Sequence, residues 1–248
     1  CLETAARHLL ALERKPDALV ITGDLADSGD ARAYEMLRDA LSPLSLPIYA
    51  VPGNHDRRDR MRDLLGAWCP ADPAVAPYLC HTVEDGPVRL IMLDTMSPGS
   101  HSGHLPDRVG DWLERALAAR PGVPALLFMH HPPFVTGMGA MDEPFENVDR
   151  LAAILRRAPW ARLCCGHMHR PIVTQWAGCL AMTAPAASMQ IDLDLSPEGG
   201  DAFRMETPGY LLHHWDGETL NAHVCQIPCA PTFSGPHPFV GSVNPVEG

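Results

Sequence analysis

Apolar residues fall along this chain in two rhythms. Short unbroken runs at 18–21, 48–51, 88–93, 125–129 and 163–165 are each closed by Gly, Pro or a polar residue, the pattern of strands buried on both faces. Between them, Tyr34, Leu37 and Leu41, and then Val109, Trp112, Leu113, Ala116 and Leu117 behind Pro106, repeat at helical spacing. The opening segment 3–14 also reads as a helix. Past His169 the rhythm changes to strand-like runs at 172–176, 179–182, 210–215 and 219–224, with Asp216-Gly217 as a hairpin turn between the last two. The pattern predicts an α/β fold in which these later strands form a second sheet, giving a two-sheet β-sandwich flanked by helices. Residues 1–184 and 209–227 are expected to form the core. Segment 185–208 reads as a small cap or oligomer contact, and 228–248 as an irregular Pro/Gly-rich tail.

The strand-like runs of the first part deliver polar blocks: Gly23-Asp24, Gly53-Asn54-His55-Asp56, Asp94, His130-His131-Pro132-Pro133 and Gly166-His167-Met168-His169. Carboxyl ends of strands are where α/β sheets present ligands, and Asp, Asn and His are donors suited to divalent transition metals. Asp24 has two oxygens with which to bridge ions, and Gly23 permits a tight turn beside it. Asn54 offers a neutral carbonyl oxygen, so its neighbour His55 is expected to face a substrate instead. His167 and His169, two apart, would point the same way in an extended segment. Taken singly, each block has an ordinary explanation as a turn or a core histidine; together and in order they indicate a metal-dependent hydrolase. Asp94 reads as a turn or capping residue. His81, His101, His104, His213 and His214 read as loop or surface groups, with the 97–104 loop bordering a pocket.

Composition narrows the partners. The chain has 248 residues, 46% of them hydrophobic, enough for one large core. A net charge of −11 argues against nonspecific binding to nucleic acid or an anionic membrane. No apolar run reaches the roughly 20 residues of a membrane span. Eight cysteines include the adjacent Cys164 and Cys165 but no C-x-x-C, so reduced thiols in a cytoplasmic protein are expected.

The ordered blocks resemble those of the calcineurin-like metallophosphoesterase superfamily. Val20-Ile21-Thr22-Gly23-Asp24, Val51-Pro52-Gly53-Asn54-His55-Asp56, Met129-His130-His131-Pro132-Pro133 and Pro208-Gly209-Tyr210 look most like its class III cyclic nucleotide and glycerophosphodiester phosphodiesterase branch. The D-x-H block that opens the family signature has no counterpart here, and Cys1 already lies in the first expected helix, so the native first strand is expected to be missing. The resemblance implies two divalent ions (Mn, Fe, Co or Zn). Asp24, Asn54, His130 and His167 would hold one; Asp24 and His169 would remain for an incomplete second site. It gives His55 the role of orienting the phosphate or protonating the leaving oxygen, Asp56 the role of holding the other nitrogen of His55, and His131 a supporting or substrate-binding place. The implied activity is hydrolysis of small-molecule phosphodiesters by a metal-activated hydroxide. Phosphomonoesterase action, or a noncatalytic scaffold, are the alternatives, and a homo-oligomer is left open.

Overall fold

The computed structural model describes residues 2–196, 199–227 and 234–238. Its elements in chain order begin with α1 (Leu2–Ala11), β1 (Leu19–Ile21), α2 (Ala31–Leu41), β2 (Ile48–Ala50) and α3 (Arg58–Leu65). They continue with β3 (His81–Val83), β4 (Arg89–Met92), α4 (Asp107–Ala118), β5 (Ala125–Met129), α5 (Val148–Leu155) and β6 (Ala161–Cys165). The last are β7 (Ile172–Trp176), β8 (Cys179–Thr183), β9 (Gln190–Ile191), β10 (Ala202–Met205), β11 (Gly209–Trp215), β12 (Leu220–Gln226) and β13 (Ser234–Pro238).

Strand alternation explains the layering. On β5, Ala125, Leu127 and Met129 face one way, into a core with Val109, Trp112, Leu113 and Leu117 of α4 and Leu151, Ile154 and Leu155 of α5. Leu126 and Phe128 face the other way, into a core shared with Val51, Met92, Cys164, Met182 and Leu220, against which Val20, Leu211 and Trp215 pack. A third core joins β1 and β2 to α1, α2 and α3 through Leu9, Tyr34, Leu37, Leu41, Ile48 and Met61. The layers therefore run helices, sheet, sheet, helices, as the expected sandwich requires. The larger sheet has the order β3-β4-β5-β6-β8-β7 with β4, β5, β6 and β8 parallel; β1 pairs with β2 in parallel and β11 with β12 antiparallel. Asp30 starts α2 by accepting the Arg32 amide at 2.7 Å.

Several expectations change. The strands after His169 do not all build the second sheet: β8 lies parallel to β6, and β7 pairs antiparallel with β8 at the edge of the larger sheet. The turn that allows this is Ala177-Gly178, both with positive φ (50° and 82°), which matches the twist of a two-residue hairpin. Only β11 and β12 go to the opposite layer, joined by the expected turn, in which the Asp216 carboxylate accepts the Glu218 and Thr219 amides at 2.9 and 2.7 Å. The first helix ends at Ala11 rather than Arg14. Segment 185–208 carries β9 and β10, and the supposedly irregular tail supplies β13, making an antiparallel sheet of order β13-β10-β9. The rest of the tail, 228–233 and 239–248, lies outside the described residues. Helices α3 and α5 were not expected; both are short, and α3 (RDRMRDLL) buries only Arg58, Met61 and Leu65.

Candidate metal centre

Three glycines let the strand ends of both sheets meet. A Cβ on Gly53 would stand 2.2 Å from Asp24 Oδ1, one on Gly23 2.4 Å from His130 Nδ1, and one on Gly166 2.4 Å from the Thr22 carbonyl. These are contacts no side chain tolerates, so Gly is required for the blocks to touch. Asp24, His167 and His169 sit in the left-handed region (φ 54°, 65° and 53°), sparsely populated by residues with a side chain. His167 and His169 therefore do not share an extended segment, as their spacing suggested; left-handed backbone at both positions sets their directions.

The side chains converge. His130 Nε2 lies 3.1 Å from Asn54 Oδ1, 3.1 Å from Asp24 Oδ2 and 3.2 Å from His167 Nδ1, and His167 Nδ1 lies 3.1 Å from Asn54 Oδ1. Donor atoms held at about 2.1 Å around one cation stand roughly 3.0–3.4 Å from one another, so this set has the spacing of a coordination sphere. His130 Nδ1 donates to the Thr22 carbonyl at 2.7 Å, which leaves Nε2 with its lone pair toward the other donors. Asn54, His130 and His167 are buried, at 2%, 1% and 8% exposure. The residues present thus fit a divalent ion.

Electrostatics agree with that assignment. Burial opposes charge on Asp24, yet the charge and hydrogen bond of His130, with the charges of His55 and His167, hold its carboxyl well below the usual range. Burial likewise opposes a proton on His130, but Asp24 outweighs it and raises the pKa. His167 is pushed down to about 3 by burial and then by His130. His169 is lowered chiefly by burial, and its buried Nδ1 has no hydrogen-bond partner. His167 and His169 are thus held neutral, as a cation needs, whereas the proton that Asp24 favours on His130 has to leave before its Nε2 can ligate.

Around this set the supporting residues are not all where the sequence placed them. Asp56 does not hold His55. Its carboxylate accepts the amides of Gly53 (2.9 Å), Leu25 (3.0 Å) and Ala26 (3.2 Å) and the Tyr34 hydroxyl (2.9 Å), tying the Asp24 loop to the Asn54 loop. Burial and then the charge of Asp24 raise its pKa to about 6. The His55 ring is held instead by the Asp27 carbonyl, 2.9 Å from Nδ1, while its own amide donates to Asp24 Oδ1 at 3.0 Å. His131 packs its ring 4.8 Å from that of His130 and 5.4 Å from that of His167, and its Nδ1 meets the Thr95 hydroxyl at 2.9 Å. Its pKa is driven far down by burial and by His130 and His167. Asp94 is structural: fully buried, it pairs with Arg58 at 2.6 and 2.9 Å and accepts the Leu79 and Met96 amides at 2.9 and 3.1 Å.

His101 is the residue whose place the sequence left open. Its Nδ1 lies 3.3 Å from Asn54 Nδ2 and its ring 5.9 Å from that of His55. The only hint was its Gly- and Ser-rich loop between a strand end and a helix. The other unassigned histidines are elsewhere: His81 in β3, His213 and His214 in β11, and His104 bridging to Glu146.

A sandwich of two sheets that brings Asp, Asn and His together at its strand ends defines a metallophosphoesterase. The chain belongs to the calcineurin-like phosphoesterase family, whose model matches residues 1–171. Among curated proteins it is 34% identical to the probable glycerophosphodiester phosphodiesterase GpdQ of Arcobacter nitrofigilis, over 94% of this chain and 85% of that one. It is 33% identical to a probable cyclic nucleotide phosphodiesterase of Rhodopseudomonas palustris, over 84% of this chain and 77% of that one. Among solved structures, a dimetal phosphatase from Danio rerio superposes with a TM-score of 0.68 at 16% identity, covering 94% of this chain and 87% of that one, which is a likeness of fold.

Proposed function

We propose that the protein is a metal-dependent phosphodiesterase acting on small phosphodiesters of the cyclic nucleotide or glycerophosphodiester type. The observation that carries this reading is the convergence of Asp24, Asn54 and His167 on His130 Nε2 at 3.1–3.2 Å. The names of the curated relatives support it. Those four residues would hold one ion, of the Mn, Fe, Co or Zn class; Asp24 and His169 would contribute to a second. Bound there, such ions supply positive charge to phosphoryl oxygens and lower the pKa of water toward ~7.

The remaining roles belong to side chains. The Asp27 carbonyl fixes Nδ1 of His55, so Nε2 is the atom left to meet the phosphate or to return a proton to the departing alkoxide. Asp56 positions both ligand loops through its amide contacts. His131 packs its ring against those of His130 and His167 and so takes the supporting place, with its Nε2 buried. No helix among the described residues is long and apolar enough to cross a membrane. A soluble small-molecule substrate in the cytoplasm, and no polymeric nucleic acid, accord with the charge of −11 and the free cysteines.

The test is steady-state kinetics of the native protein with Mn²⁺ on bis-p-nitrophenyl phosphate, p-nitrophenyl phosphate, a cyclic nucleotide and a glycerophosphodiester. We expect a higher kcat/KM for diesters, and a 10²–10⁴-fold lower kcat in His55→Ala with metal content unchanged, the ordinary scale (~) of general acid catalysis. Preference for monoesters throughout would make the protein a phosphatase; failure on every substrate would make it a scaffold.

A further inference from the structure

The sandwich gapes at one edge. Val173 of β7 is paired with Met182 of β8 and shares the face of the larger sheet that is turned to the opposite layer. Val224 of β12 is paired with Leu211 of β11 and faces the larger sheet in the same way. Both would be buried if the sheets closed there, yet Val173 is 66% and Val224 55% exposed. Between them lies a cleft of about 290 Å³, lined by Val173, Leu180, Met182, Leu211, Leu220 and Val224, among others. At ~30 Å³ for a water-sized group it has room for about ten, close to the size at which ligand pockets begin.

One charge stands in this apolar wall. Arg162 of β6 shares the inner face with Cys164, between Leu126 of β5 and Leu180 of β8, and it lines the cleft. It is half-buried, and among the described residues its guanidinium has neither a hydrogen bond nor an ion pair. Asp216, in the hairpin whose Thr219 and Leu220 also line the cleft, is engaged by the amides of its own turn. The hydroxyl of Thr183, another lining residue, is spent on the Arg170 carbonyl and the Ile172 amide. Across the layer, burial and then the charge of Arg162 hold His213 at a pKa of about 4, so that ring adds no second cation near pH 7. An arginine drawn into a protein is ordinarily paired, and its planar fork of N–H donors matches a carboxylate through two parallel hydrogen bonds.

We propose that the cleft binds an amphipathic monocarboxylate, its head paired with Arg162 and its apolar tail lying along Leu180, Met182 and Val224. Room for about ten heavy atoms leaves a tail of about seven carbons beyond the head. The head carries one charge because one cation is there to meet it. The site stands apart from the metal centre: Arg162 lies at the start of β6, and His167 follows the other end of that strand.

Calorimetric titration of the Mn²⁺-loaded protein at neutral pH with octanoate, 1-octanol and butyrate separates head from tail. We expect octanoate to bind roughly ten- to a hundredfold more tightly than 1-octanol, the scale of hydrogen bonding to a charged group. It should bind roughly a hundredfold more tightly than butyrate, which buries four fewer methylenes. Arg162→Met should erase the advantage over 1-octanol, and, because it takes an unpaired charge out of an apolar wall, the variant should melt no lower than the parent. Ala222→Phe, at an exposed position of β12 that lines the cleft, should abolish binding of octanoate and 1-octanol alike. A carboxylate captured by the metal centre instead would bind as tightly with the short tail as with the long one and would ignore Arg162→Met. Either of those results, equal affinities for octanoate and 1-octanol in the parent, or no binding of octanoate would overturn the proposal.

Discussion

The two halves of the proposed metal centre are built very differently. On one side, four side chains from four separate strand ends gather around His130, which lies 3.1–3.2 Å from the other three, with glycines allowing the close approach. On the other, His169 offers a buried nitrogen with no partner, and among the described residues Asp24 is the ligand proposed to join it. Four preoriented donors would organise an ion with little further rearrangement, whereas two would hold one more loosely. The sites should therefore differ in affinity by orders of magnitude within these 248 residues.

Removing one histidine from each half breaks the comparison most sharply. His167→Ala should lower the affinity for the tighter Mn²⁺ by ~10²-fold or more, while His169→Ala should leave that ion within a few-fold and affect only the weaker one. Metal titration with elemental analysis reads both; equal losses would show that the halves are not distinct.

Acidity provides the next largest contrast. Asp24 raises the pKa of His130, so a proton must leave before that nitrogen can ligate; below this pKa, affinity at the four-donor half should fall by about tenfold per pH unit as pH drops. His169 has a lowered pKa and is already neutral near pH 7, so the weaker ion should lack this proton dependence until more acid conditions. Titrations in two buffers of different protonation enthalpy would count the released proton, and a release accompanying the second ion instead would reverse the assignment.

The smallest expected effect is steric. In Gly166→Ala the new Cβ meets the Thr22 carbonyl at 2.4 Å and His130 Nδ1 at 3.1 Å, which displaces the His130 anchor. Overpacking of this kind costs about 1–3 kcal/mol, a melting shift of several degrees that thermal unfolding would detect. The tighter ion should weaken in parallel, while an unchanged melting temperature with unchanged metal content would mean that the three glycines do not set the geometry.

How far this was legible in sequence follows from how local each signal is. Asp24, Asn54, His130 and His167 were readable because each block is contiguous and follows an apolar strand. Asp56 misled because the resemblance implied a bond to His55, whereas the chain turns its carboxylate beneath the loop to Tyr34, a partner 22 residues away. His101 had no block around it, and only the docking of its loop onto residues 145–147 brings it to Asn54. The destination of β7 and β8 depended on sheet order, which alternation does not encode; α3 was hidden because its charged surface leaves few apolar positions to reveal a period.

The left-handed backbone at Asp24, His167 and His169 has a historical consequence as well. Glycine would occupy those three conformations more comfortably, by roughly 1–2 kcal/mol each where a Cβ is strained. A lineage released from the duty of holding ions would drift toward glycine at all three, gaining thermal robustness as it lost chemistry. Enzyme and scaffold should thus leave opposite imprints at the same codons, and here all three still encode side chains able to grip a metal.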